Sequence, residues 1–366
     1  MSQSSCEEGK SCCSANDCCA DASITLYDKK DQWITGEILT PKGSVPLVST
    51  KPGLKDILGA WKVRWGIGRM NYKINPGLYA VGQPDPTSPV LVSSNYKLTF
   101  DALRKELSGL NCWILILDTK GINVWCAAGK GSFGTDELVN RISKSGLPEI
   151  VSHRKLILPQ LGAVGVRAIE VTKQTGFTVV YGPVRARDIK PFLDSGLTAT
   201  EEMRTVKFTT WDRLVLTPIE LVQASKTSLL VFGVLFLINL FAVRPFGLAD
   251  FIAYAGAMVM GAVVAPVLLP FIPGRAFAWK GWLLGLIWMA GFIWLNGWLA
   301  PGSLLLGIGY LLVLPSFSAY LAMNFTGSST YTSFSGVIKE MRIALPFIVS
   351  SSALGIAMVL IKSLLG

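Results

Sequence analysis

From residue 225 onward the chain is dominated by five apolar stretches, residues 225–243, 250–270, 281–299, 302–323 and 345–365, each close to the roughly 20 residues an α-helix needs to cross a bilayer. Hydrocarbon offers the backbone no water to bond to, so stretches of this kind fold as helices packed on one another. An all-α transmembrane domain of five helices, in contact with membrane lipid, is therefore expected over residues 225–366. The stretches hold almost no ionisable side chains near their centres, which argues against a proton pump or an ion channel. If the preceding part lies in the cytoplasm, the inside loops carry Arg275, Lys280, Lys339 and Arg342, and the outside segments only Arg244 and Lys362. Basic residues concentrate on the inner side, so this orientation in a cytoplasmic membrane is the expected one.

The first 220 residues have a different texture, mixing charges, turns and short apolar runs as a globular domain does. Helical periodicity at residues 98–107, 136–144, 164–174 and 185–193 alternates with apolar or β-branched runs at 113–117, 155–158 and 177–181. That alternation predicts a parallel sheet covered on both faces, a Rossmann-like α/β domain over residues 23–220. Such sheets bind ligands at the carboxyl ends of their strands. The Gly-rich loops at residues 129–134 and 159–165 fall there, but neither carries a dinucleotide or nucleoside-triphosphate fingerprint. The net charge of +10 fits an anionic membrane surface or an acidic partner, and no nucleic-acid-binding motif accompanies it.

Seven cysteines are present, and five of them, Cys6, Cys12, Cys13, Cys18 and Cys19, crowd a polar tail over residues 1–22 that has too few apolar residues to fold alone. With no signal peptide to export it, the tail is expected in a reducing cytosol, where thiolates bind soft metals. Cys12, Cys13, Cys18 and Cys19 are its candidate ligands, although their spacing fits no standard zinc module. Cys112 opens an apolar strand and is expected in the core. Cys126 follows that strand, with Asn123 placed to cap a short helical turn over Val124, Trp125, Cys126, Ala127 and Ala128 that Gly129 can end. Small Ala127 and Ala128 would let a planar macrocycle approach, and Lys130 beside a helix start would favour the thiolate that metals require. On composition alone, Cys126 reads as a small buried hydrophobe.

The string Asn-Val-Trp-Cys-Ala-Ala-Gly-Lys at residues 123–130 resembles the cap-helix signature of the corrinoid proteins of microbial mercury methylation (the HgcA family). Residues 71–180 are similar to the corrinoid-binding domain of the corrinoid iron-sulfur protein of the acetyl-CoA pathway. They include Pro-Gly-Leu-Tyr-Ala from Pro76, Ser-Asn-Tyr-Lys-Leu-Thr-Phe-Asp from Ser94 and Leu-Pro-Gln-Leu-Gly-Ala from Leu158. Five spans after such a domain match the mercury-methylation arrangement. The resemblance implies a cobamide bound with its lower base displaced and the Cys126 thiolate as axial cobalt ligand. A strongly donating sulfur would then help a methyl group leave cobalt for the electrophile Hg(II). It implies Ser94 and Asn95 near the methyl face, and Gln160, Leu161, Gly162, Ala163 and Gly165 along the cobamide. It also implies a ferredoxin-like iron-sulfur partner for electrons and a methyltransferase or methyl donor of the methyltetrahydrofolate type. The single histidine, His153, sits in no Asp-x-His-x-x-Gly motif, so histidine ligation has no candidate. Two other readings stay open: a membrane-bound corrinoid methyl carrier of one-carbon metabolism, and a Cys-rich heavy-metal-binding or transport membrane protein.

Overall fold

A computed structural model describes residues 31–365, so the tail 1–22 and its five cysteines lie outside the described residues. The chain divides into two compact units: residues 1–59 with 70–205, and residues 60–69 with 206–366.

The first unit is a mixed α/β sheet of seven strands in the order β1-β2-β3-β5-β4-β6-β7. The strands are β1 (Ile34–Thr40), β2 (Gly43–Val48), β3 (Gly77–Val81), β4 (Val90–Ser94), β5 (Cys112–Leu117), β6 (Lys155–Leu158) and β7 (Thr178–Tyr181). The chain crosses them with helices α1 (Leu54–Arg64), α2 (Lys97–Glu106), α3 (Val124–Gly129), α4 (Thr135–Lys144), α5 (Leu147–Ile150), α6 (Ala168–Thr175), α7 (Ile189–Asp194) and α8 (Glu201–Arg204). The expected wholly parallel sheet is corrected here. β4, β5, β6 and β7 are mutually parallel, but β3 runs antiparallel to β5, and β1 and β2 form an antiparallel hairpin. β3 is buried along its whole length, and a continuous apolar run carries no mark of strand direction. The predicted helix at 164–174 begins only at Ala168, because residues 159–165 are occupied by a loop that packs beneath α3.

Strand β5 shows how the sequence builds two layers. Trp113, Leu115 and Leu117 enter one core with Val124, Ala127, Leu138 and Val171, whereas Cys112, Ile114 and Ile116 enter the other with Phe100, Leu103 and Phe192. The two-residue period of a strand places successive side chains on opposite faces, so both faces are covered. On the second face, α2 carries a buried ion-pair network. Lys97 Nζ reaches Asp101 at 2.6 Å and Asp56 at 2.8 Å, and Arg104, with no exposed surface, pairs with Asp101 and Asp56 at 2.7 Å each. Arg104 also donates to the carbonyl of Ser49, which ties the chain after β2 to α2. Burial opposes the charge on Asp56, but the hydrogen bond from Lys97 and the nearby Arg104 hold its carboxyl below the ordinary range.

The second unit contains five helices long and apolar enough to cross a membrane: α9 (Thr210–Asn239), α10 (Leu248–Val267), α11 (Phe277–Leu295), α12 (Leu304–Asn324) and α13 (Phe334–Leu365). Helix α9 starts 15 residues before the apolar stretch at residue 225, because Thr209 and Asp212 form a reciprocal capping box and helix formation propagates from there. The unit boundary thus falls at residue 206, ahead of the 220 suggested by hydropathy. Small residues let these helices approach. A Cβ on Gly285 would lie 2.8 Å from Pro315 Cα, and one on Gly355 would lie 2.6 Å from the Gly309 carbonyl. A cavity of about 640 Å³ opens among α9, α10, α12 and α13, walled by Phe232, Tyr254 and Phe317, with Glu220 and Asn324 among its polar groups.

Candidate functional site

The carboxyl ends of β4, β5 and β6 share one edge of the first unit, and α3 stands directly after β5. Six residues make a helix too short to hold itself in water, so its orientation depends on what grips it. Three devices do so. Asn123 caps it as predicted, its Oδ1 accepting from the Cys126 N–H at 2.9 Å. The turn leading into it, with Lys120 at φ 57° and Gly121 at φ 74°, is gathered by the buried Asn95. Asn95 Oδ1 accepts from the N–H groups of Thr119 at 3.1 Å and Gly121 at 2.9 Å, while its Nδ2 donates to Asp118 at 3.1 Å. The third device is close packing. A Cβ on Gly165 would fall 3.0 Å from Ala128 Cα and would collide with the Phe133 carbonyl, so only glycine lets the 159–165 loop lie against the helix.

Helix α3 consequently has two faces. Val124, Ala127 and Ala128 point into the core, and Trp125, Cys126, Gly129 and Lys130 are exposed. The reading of Cys126 as a buried hydrophobe is excluded by its exposed thiol; Cys112, by contrast, is buried, and burial pushes its thiol up to about 12. Ala127 and Ala128 are buried, and the backbone of Ala128 meets the 159–165 loop at Gly165. Gly129 is the last residue of the helix, as expected; Lys130 is the C-cap, and Gly131 takes the left-handed φ of 80°.

Two polar atoms beside this helix are buried without a hydrogen-bond partner, Ser94 Oγ and Gln160 Oε1. Ser94 ends β4 and Gln160 follows β6. Each lies three residues beyond the last paired residues of those neighbouring strands, Leu91 and Ile157. Orphaned buried polar atoms cost stability; among the described residues the others are on Asn239 and Ser363, in the second unit. Leu161 is half-buried against the core, Gly162 is buried against the Phe133 ring, and Ala163 caps the intervening 3₁₀ turn. The structure thus gathers α3, Ser94 and the 159–165 loop at one edge. Asn95 belongs there too, with its side chain bonded to the turn. That role was missed in the sequence, where an Asn at a strand end gives no sign of which backbone groups it will collect.

His153 sits at the opposite edge, before β6, its Nε2 2.9 Å from the Ser88 carbonyl and its Nδ1 accepting from the Lys155 N–H. Among the described residues no three His, Cys, Asp or Glu side chains converge as a metal cluster would require.

Residues 67–193 match the family of the CO dehydrogenase/acetyl-CoA synthase delta subunit. The chain is 32% identical over 184 residues to the acetyl-CoA decarbonylase/synthase complex subunit gamma of Methanopyrus kandleri, a match covering 50% of this chain and 35% of the relative. The subunit gamma of Archaeoglobus fulgidus is 33% identical over 128 residues, 34% of this chain and 27% of the relative. That of Methanocaldococcus jannaschii is 35% identical over 122 residues, with shares of 33% and 25%. The chain spans about a third or less of the length of these curated relatives. The family match ends at residue 193, before the first membrane-length helix begins at Thr210.

Proposed function

We propose that this chain is a cobamide-dependent methyl carrier of the cytoplasmic membrane that uses the Cys126 thiolate as axial cobalt ligand and delivers a methyl group to Hg(II), forming methylmercury. The similarity of residues 67–193 to a corrinoid iron-sulfur protein family supports the corrinoid part of this reading. The observation that carries the rest is the exposed Cys126 thiol, held on a braced helix beside the two orphaned atoms of Ser94 and Gln160. A bound cobamide supplies a metal centre that takes up and gives up a methyl group. Cys126 donates the sulfur electron pair that such a centre needs for releasing a methyl group to an electrophile. Ser94 Oγ could donate to, and Gln160 Oε1 could accept from, polar groups of a cobamide held here. Asn123 and Asn95 keep α3 from turning, and exposed Trp125 would cover apolar ring surface. The chain has no Cys-x₂-Cys-x₂-Cys run, so an external iron-sulfur protein supplies electrons, and a methyltransferase or donor of the methyltetrahydrofolate type supplies the methyl group.

The relatives favour a second reading, a carrier that serves one-carbon metabolism and reaches mercury incidentally. An anaerobic single-turnover assay separates the two. The full chain is loaded with methylcobalamin, Hg(II) is added, and methylmercury is quantified beside Cys126→Ala and free methylcobalamin. Methylmercury well above the free cofactor, lost with Cys126→Ala, supports mercury methylation. Binding of the cobamide with transfer no faster than the free cofactor sinks it in favour of the second reading, and failure to bind any cobamide sinks both.

A further inference from the structure

Helix α1 has no role in the site just described, yet it carries an unusual surface. Leu54, Ile57, Leu58, Trp61 and, one residue past its end, Trp65 are all exposed, Leu54 at 79% and Trp61 at 64%. At about 100° per residue these five fall within an arc of about 100°, a continuous apolar stripe. The opposite side faces protein: Val63 is buried, Gly59 abuts the Tyr72 ring, and Asp56 is held by Lys97 and Arg104. Lys55 and Lys62 border the stripe on one flank and Arg64 on the other. The one acidic side chain of the helix, Asp56, is already neutralised, so the exposed part of α1 is apolar with basic margins. Tryptophan and long basic side chains are the residues that settle at a lipid headgroup layer.

A second observation fixes the depth. Residues 60–69 belong to the same compact unit as the membrane-length helices. A Cβ on Gly66, at φ +76°, would lie 2.8 Å from Ile219 Cδ1 and 3.9 Å from Val222 Cγ1. Both residues are on α9 just ahead of the apolar run that starts at residue 225, so the end of α1 is level with the point where α9 enters hydrocarbon.

We propose that α1 is an interfacial helix that lies in the headgroup layer of an anionic membrane, with Leu54, Ile57, Leu58, Trp61 and Trp65 at the acyl boundary and Lys55 and Lys62 on lipid phosphates. This does not depend on the corrinoid reading. The test uses the full chain in nanodiscs with an environment-sensitive fluorescent amino acid in place of Leu58 or, as an aqueous control, of exposed Lys105. The probe at 58 is quenched by brominated lipid and protected from aqueous iodide, and the probe at 105 behaves in the opposite way. Hydrogen exchange on the unmodified chain needs no substitution in the helix. Residues 54–65 exchange about tenfold more slowly in discs containing phosphatidylglycerol than in phosphatidylcholine alone, and Lys55→Glu with Lys62→Glu removes the difference. Iodide reaching position 58 as readily as 105 overturns the proposal, as does equal exchange in the two kinds of disc. Protection from iodide without quenching by brominated lipid also overturns it, because a protein surface then covers the stripe.

Discussion

The segment that starts at Ser94 and ends at Asp101 contributes to two polar clusters that differ in completeness. At its far end, Lys97 and Asp101 join Arg104 and Asp56 in a network whose charges are matched at 2.6–2.8 Å. At its near end, Ser94 Oγ is buried with nothing to bond to, and Gln160 Oε1 across the sheet edge is the same. Asn95, between them, bonds the turn before α3 through both Oδ1 and Nδ2. A completed network holds architecture, and an incomplete one awaits something. One short motif therefore carries both kinds of information, and a ligand site is distinguished by what its polar atoms lack.

This contrast can be broken at several points. The largest effect is expected from Cys126→Ala, which should abolish methyl transfer to Hg(II) above the free-cofactor rate while leaving the thermal unfolding midpoint unchanged, because the thiol is exposed. In the matched cluster, Arg104→Met should lower stability by about 3–5 kcal/mol in denaturant titrations, since it leaves the buried carboxylates of Asp101 and Asp56 to share Lys97. Stability left intact by that substitution would show the network to be ornamental.

Asn95→Ala should cost about 1–3 kcal/mol by leaving the Gly121 N–H unbonded and Thr119 with the Leu117 carbonyl alone, and should also weaken cobamide binding measured by visible absorption. Ser94→Ala sharpens the comparison most. It should leave stability unchanged or slightly raised, because it removes an orphaned hydroxyl, and should weaken cobamide binding about tenfold. Equal losses of stability and binding would make Ser94 a packing residue. Smallest is the acid response. The lowered Asp56 pKa means its contribution is fully present above the ordinary aspartate range and is lost as pH falls below about 4. Hydrogen exchange at residues 49–56 should therefore rise first under acid, and Asp56→Asn should flatten that rise.

The parts of the fold visible in the sequence were those with a strong local pattern. The apolar run of β5 and the amphipathic helices α2 and α4 were placed within about a residue, as were Asn123 as a cap and, among the described residues, the count of five membrane-length helices. The direction of β3 was not legible, nor was the β1–β2 hairpin, whose half-exposed strands have weak contrast between faces. The inward turn of Ala127 and Ala128 escaped notice because an alanine suits either face of a helix, and only the approach of Gly165 decides the matter. The stripe on α1 lay in plain view, but its meaning depended on which side chains the fold leaves uncovered.

The division of labour within α3 makes position 126 a socket. The grip on the helix comes from Asn123, Asn95 and the inward alanines, and none of it passes through the Cys126 side chain. The donor atom offered to a metal can therefore be exchanged with little disturbance to the scaffold. Cys126→His, Cys126→Met and Cys126→Ser would form a graded series in which a nitrogen, a thioether and a hydroxyl stand at one fixed point. Such a series would convert this edge of the sheet into a test bed for how ligand softness sets the direction in which a carbon–metal bond breaks.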